Sequence, residues 1–257
     1  MVLTGALEKL MRFLLSAAVV LALAAVATAQ NAPWSYAGRT GPANWGKLDP
    51  AYRTCTTGQQ QSPIDIRHPM LNKALKPLQF SFLGGPVTLV NNGHTVVAHV
   101  VPGSYMVADG VRYNLLQFDF HDPSEGAING VSSDMDVQFL LKSADGKLAG
   151  VVVHLTSAQD FPNATLSTLW GHLPTTVGAT EEVTDMVNPG GLVPSSGGYW
   201  TYMGSLTQPP CTEGVRWFVF QRNLSISRAQ LNAFDHIFLR NARPLQDLHG
   251  RRVEANE

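Results

Sequence analysis

Charge is scarce in this sequence: Asp, Glu, Lys and Arg supply 14% of its 257 residues, against roughly 25% in an ordinary soluble domain. The 18 basic and 19 acidic residues nearly cancel, and no Lys/Arg run exceeds two residues. Nucleic acid and anionic membrane are therefore offered no electrostatic foothold. Cysteine is scarcer still. Two of them, Cys55 and Cys211, are too few for a disulfide-dense miniprotein or a Cys-rich zinc module, and leave either one bridge or two free thiols. Repeats, heptads and low-complexity tracts are absent, and 44% hydrophobic content with so little charge excludes general disorder. After residue 29 no apolar run approaches the roughly 20 residues of a membrane-spanning helix.

What is present begins with a targeting pattern. Lys9 and Arg12 precede an apolar stretch from Phe13 to Ala27, and the segment ends in Ala27-Thr28-Ala29. A basic flank, a short apolar stretch and a small-x-small ending predict an export signal at 1–29, cleaved before Gln30. The exported part, 30–257, is then secreted or periplasmic, with no membrane attachment after cleavage. In an oxidising compartment an even pair of cysteines normally bridges. The wide spacing of Cys55 and Cys211 would tie the beginning of the exported chain to its end, which argues for one domain.

Between the cysteines, apolar and polar residues alternate in short runs at 78–82, 87–90 and 95–100, punctuated by Gly84-Gly85-Pro86, Pro102-Gly103 and Pro189-Gly190-Gly191. Such period-two runs predict the strands of a large sheet. Helical signal is thin and falls at 166–172 and 227–238, the latter capped by Ser225 or Ser227. The fold class is β-rich α+β with peripheral helices. Two strands carry an unusual polar face. In 115–121 alternation sets Leu116, Phe118 and Phe120 against Gln117, Asp119 and His121. In 134–141 it sets Val137, Phe139 and Leu141 against Asp136 and Gln138. Either the sheet has one solvated face, or the two polar faces converge on a site.

Ordered motifs then give a resemblance that covers nearly the whole exported chain. Trp34-Ser35-Tyr36, Gly41-Pro42-Ala43-Asn44-Trp45, Gln61-Ser62-Pro63-Ile64-Asp65-Ile66, Asn91-Asn92-Gly93-His94, Pro123-Ser124-Glu125 and Ile128-Asn129-Gly130 are followed by the block from Gly204 to Glu213, Val215 with Trp217, and Asn241-Ala242-Arg243-Pro244. Together they resemble the α-class carbonic anhydrases, the lyases that interconvert CO2 and bicarbonate. The resemblance implies one domain with a central, twisted, mostly antiparallel sheet of about ten strands and a cavity reaching its middle. It also implies a Cys55–Cys211 bridge like that of secreted members.

In that family three histidines hold zinc, two at i and i+2 of one strand and the third on its neighbour, leaving the fourth tetrahedral position to a water. The resemblance places Asp119, His121 and Gln138 at those positions, so one histidine of three remains. No His-x-His or His-Glu-x-x-His occurs elsewhere. His94 and His99, five apart, face opposite sides of a regular strand, and His68, His154, His172, His236 and His249 read as surface or core residues. By the same resemblance Gln117 and Asp136 orient the first and third ligands. Glu125 and Thr207 would position a metal-bound hydroxide, and His94 would shuttle the proton. Gly126 stands where the family carries a histidine. Gly150 stands where a bulky aliphatic floors the CO2 pocket.

An amide oxygen is a weak, neutral zinc ligand, and an anion in place of imidazole raises the pKa of a bound water. The expectation is a carbonic-anhydrase-like protein with zinc weakly bound or absent and CO2 hydration poor or lost. Its cavity would accept CO2, bicarbonate or another small anion. The alternative is a carbonic anhydrase with an unorthodox Asp119, His121 and Gln138 metal site, whose oxygen ligands would suit another divalent ion.

Overall fold

Within residues 85–220, runs in which β-branched and aromatic residues alternate with others pair into a sheet. The structure, a computed structural model, describes residues 33–257. The expected export signal at 1–29 lies outside the described residues. Ten strands succeed one another across the sheet: β1 Met70–Leu71, β2 Gly85–Asn91, β3 Val96–Val100, β4 Val111–His121, β5 Met135–Ser143, β6 Leu148–Thr156, β7 Thr180–Val187, β8 Tyr199–Ser205, β9 Glu213–Phe220 and β10 Glu254–Ala255. Their spatial order is β7-β2-β3-β4-β5-β6-β9-β8-β10-β1, and three short strands off this path complete a sheet of 13. β6 runs parallel to β9 and β10 to β1. The other neighbours on the path are antiparallel. The expected β-rich α+β class, with a mostly antiparallel sheet of about ten strands, is what the chain forms.

Helices are few and short, as the thin 3.6-residue periodicity predicts. Among the described residues the α-helices are α1 Trp45–Leu48, α2 Thr54–Thr57, α3 Ala164–Trp170 and α4 Arg228–Asp235. The Ser227 hydroxyl accepts from Gln230 N–H while the Gln230 side chain accepts from Ser227 N–H. That capping box fixes the start of α4. α3 starts earlier than its apolar pattern indicates, because the Asn163 side chain accepts from Leu166 N–H and caps it.

The two faces of the sheet do different work. Phe118, Phe120, Val137, Phe139, Leu141, Val151 and Val153 bury one face, together with Leu166 and Leu169 of α3 and Phe234 of α4. At about 1.5–3 kcal/mol for each large side chain removed from water, this is the main stabilising layer. On the opposite face a smaller cluster gathers Ile64, Ile66, Val152, Tyr202, Val215, Trp217 and Val219. Beside it the same face turns polar.

One expected alternation is corrected. Alternation predicts Leu116 on the face of Phe118 and Phe120, yet it is 43% exposed, and Leu115 is buried in its place. Leu115 pairs with Leu141 and Gln117 with Leu140, so β4 carries one extra residue there. Such a bulge reverses the alternation on one side of itself, and the 117–121 half keeps the expected phase.

Cys55 on α2 and Cys211 in the β8–β9 loop are bridged across 156 positions, with Cα atoms 5.0 Å apart. The bridge closes more than two thirds of the described chain into one loop. Replacing both cysteines by alanine should lower unfolding free energy by about 2–5 kcal/mol, read as a reduced urea midpoint at constant slope.

Candidate active site

Register sets three polar rungs across the sheet. Gln117 on β4 stands beside Leu140 on β5, which stands beside Gly150 on β6, which stands beside Trp217 on β9. One rung further, Asp119, Gln138, Val152 and Val219 are in line. The third rung is His121, Asp136 and His154. Period-two geometry puts all of these on one face. The two polar faces read from the sequence therefore do converge. Above the first two rungs lies a cavity of ≈ 160 Å³ whose walls include Gln117, Asp119, Gln138, Leu140, Thr207 and Trp217.

His121, on the third rung, is fully buried. Its Nδ1 is 3.1 Å from Asp136 Oδ1. Its Nε2 stands 3.8 Å from Glu125 Oε2, beyond hydrogen-bond reach, and meets no partner. Glu125 is also buried and fully engaged. Its Oε1 accepts from Arg243 N–H at 2.9 Å, its Oε2 accepts from Gln138 Nε2–H at 2.9 Å, and its own N–H donates to Asp136 Oδ2 at 2.9 Å. Thr207 also hydrogen-bonds its carboxylate. Gln138 Nε2 lies 3.3 and 3.4 Å from the two Asp136 oxygens as well. The structure thus brings together Asp119, His121, Glu125, Asp136, Gln138, Thr207 and Gln117, the last bonded to Asp119.

Electrostatics follow from this crowding. Burial raises Asp119 to about 6, opposed by the charge of His121 and the Gln117 hydrogen bond. For His121, burial pulls downward, but Glu125, Asp136 and Asp119 outweigh it and lift the imidazole to about 10. Glu125 is raised by burial, with His121 pulling the other way.

His94 sits in the turn between β2 and β3, and its ring stacks on Trp34 with centroids 3.6 Å apart and planes 7° from parallel. Burial lowers its pKa, and it is not among the residues lining the ≈ 160 Å³ cavity. At Gly150 no hole opens, because a Cβ there would stand 2.3 Å from the Trp217 ring. That ring closes the wall, and position 150 must stay small to admit it.

Three residues near the site were not singled out for it by sequence reasoning. The Tyr36 hydroxyl is buried without a partner, and burial followed by the charges of Glu125, Asp119 and Asp136 pushes its pKa well up. Arg243 holds Glu125 through its backbone, while its guanidinium donates to the Ser62 and Cys55 carbonyls. His154 shares the Asp136 rung. Tyr36 and Arg243 lie far from β4 and β5 in sequence, so no local pattern points to them. His154 had a signal, since it shares a face with Val152 on a strand antiparallel to β5.

Zinc takes thiolate, imidazole or carboxylate ligands. Of the three positions here, His121 offers imidazole, Asp119 a carboxylate held by Gln117, and Gln138 an amide whose N–H is committed to Glu125. Among the described residues no group of three or more His, Cys, Asp or Glu side chains is arranged to hold a metal ion. This donor set does not fit a three-imidazole zinc site.

Comparison with known proteins gives a consistent family. Residues 40–257 match the family described as eukaryotic-type carbonic anhydrase. A carbonic anhydrase of Pectobacterium carotovorum is 39% identical over 239 residues, spanning 92% of this chain and 97% of that protein. The α-carbonic anhydrase of Thermovibrio ammonificans, solved with the inhibitor sulfanilamide, superposes with a TM-score of 0.83 at 36% identity, covering 87% of this chain and 99% of that one. Dioscorin complexed with ascorbate superposes with a TM-score of 0.80 at 30% identity, covering 87% and 97%.

The raised His121 pKa makes a pH-linked contribution to stability. It is fully present below the unfolded value of 6.5 and is lost as pH rises through about 10. Urea midpoints should therefore fall across that window. Asp136→Asn, which removes the carboxylate at Nδ1, should flatten the fall.

Proposed function

The chain belongs to the eukaryotic-type carbonic anhydrase family, and on that premise we propose that it is a member whose site holds no resident zinc and hydrates CO2 poorly or not at all. The observation that carries this reading is the state of Gln138. Its amide N–H groups serve two buried carboxylates, so the third ligand position is spent on the protein's own charges. Asp119 at the first position replaces a neutral imidazole with an anion, which disfavours hydroxide formation on any bound metal. On this reading Glu125, Asp136, Gln117 and Thr207 persist as an inherited scaffold around a small cavity. That cavity would take a small anion or organic molecule in place of the reacting pair. The ascorbate complex of dioscorin is a precedent within the fold. Export of residues 30–257 to the periplasm or medium is part of the proposal, supported by the signal-like segment 1–29 and the Cys55–Cys211 bridge.

A second reading rests on the unpartnered, buried Nε2 of His121. That nitrogen, with Asp119 and the Gln138 oxygen, would be the donor set for a divalent ion other than zinc.

Metal content and CO2 hydration, measured on the native protein beside Asp119→His/Gln138→His, separate the two. The expected result is native protein without stoichiometric metal and without hydration above background, while the double variant gains zinc. Native protein carrying one tightly bound zinc and hydrating CO2 at family rates would overturn the proposal. Stoichiometric binding of manganese or cobalt by the native protein would favour the second reading.

A further inference from the structure

Beside the candidate site, a chamber of ≈ 20 Å³ is lined by Ile64, Gly126, Gln138, His154, Tyr202 and Thr207, among others. That is room for one water molecule. Gln138, Thr207 and Trp217 form the partition, since they line both this chamber and the larger cavity.

His154 is 2% exposed, and its Nε2 has no hydrogen-bond partner among the protein atoms. A buried polar atom left unpaired costs about 1–3 kcal/mol, so native proteins satisfy such atoms with ordered water where space allows. Burial lowers the His154 pKa, with Asp136 pulling upward, in keeping with a neutral ring that needs one hydrogen bond at Nε2. Ile64 and Gly126 line the same chamber as His154. The point where a Cβ of residue 126 would stand lies 3.7 Å from the Ile64 carbonyl oxygen and 3.8 Å from His154 Nε2, with no atom nearer outside the adjoining residues. Ile64 O already accepts from Ala127 N–H at 3.2 Å, and a carbonyl oxygen has a second lone pair. Gly126 has no positive φ that would call for glycine. Its missing side chain leaves open space facing both polar atoms.

We propose that one ordered water molecule occupies this chamber, bridging His154 Nε2 to the Ile64 carbonyl oxygen, and that His154 through it is a positioning residue for the Glu125–Ala127 segment. The water adds a second tie beside the Ala127–Ile64 hydrogen bond. It anchors the residue next to Glu125, whose two oxygens are shared between Arg243 and Gln138. The inference stands whether or not the site binds a metal.

Two NMR measurements on the purified protein test it. In the native protein, a long-lived water should give a cross-relaxation peak to the His154 ring protons, and its absence would overturn the proposal. The second measurement uses Gly126→Ala, which the local geometry admits at ordinary van der Waals distance and whose methyl narrows the chamber that Gly126 lines. If the bridge positions the segment, that peak disappears, the His154 ring nitrogens shift, and the Ala127 amide exchanges about tenfold faster, the loss expected for one hydrogen bond. A merely space-filling role predicts unchanged or slower exchange in the alanine variant, and that result would overturn the positioning role.

Discussion

Glu125 and Asp136 are carboxylates buried at 2% and 0% exposure, and a buried charge is costly unless it is paired and hydrogen-bonded. Each is met on several sides. Asp136 takes His121 Nδ1 on one oxygen and the Glu125 N–H on the other. Glu125 takes the Arg243 N–H, the Gln138 amide and the Thr207 hydroxyl. The segment that supplies Arg243 is itself held in place. Its guanidinium donates to the carbonyls of Ser62 and of Cys55, whose side chain forms the disulfide, and Asn241 Nδ2 donates to the carbonyls of His94 and Phe120. The sheet register, the disulfide and the C-terminal segment therefore converge on keeping two buried charges satisfied.

This requirement bears directly on the proposed loss of zinc. An amide can present its oxygen to a metal only if its N–H groups find other work, and at Gln138 that work is Glu125 and Asp136. Turning the amide over would set its oxygen against the Glu125 carboxylate. His121 also has a use without a metal, since a protonated imidazole between Glu125, Asp136 and Asp119 supplies the positive charge that these acids need. On this reading both carboxylates are satisfied by protein atoms, and zinc would have to displace a proton from His121 to enter the cluster.

Much of this was legible in the sequence, because strand periodicity is a short-range property. The alternation in 115–121 and 134–141 placed Asp119 with His121 and Asp136 with Gln138, and the pairing of β4 with β5 joined the two sets. The bulge at Leu116 was not legible, since an extra residue alters a strand's phase without altering its composition. Nor was the Trp217 ring over Gly150, which depends on two strands running parallel between distant segments. Tyr36 and Arg243 reach the cluster from opposite ends of the described chain. His154 was read as a surface or core histidine, and it is a buried one. What the strand pattern could not convey is that its ring meets the space beside Gly126.

The protonation state of His121 in the presence of zinc is the most direct measure of whether the site has become independent of metal. Ring 15N spectra of the native protein at neutral pH, recorded with and without one equivalent of Zn²⁺, read it at the atom concerned. A resident-zinc-free site predicts that both ring nitrogens carry protons and that added zinc leaves their resonances in place. Loss of the Nε2 proton, with a metal-dependent shift of that nitrogen at stoichiometric zinc, would contradict it.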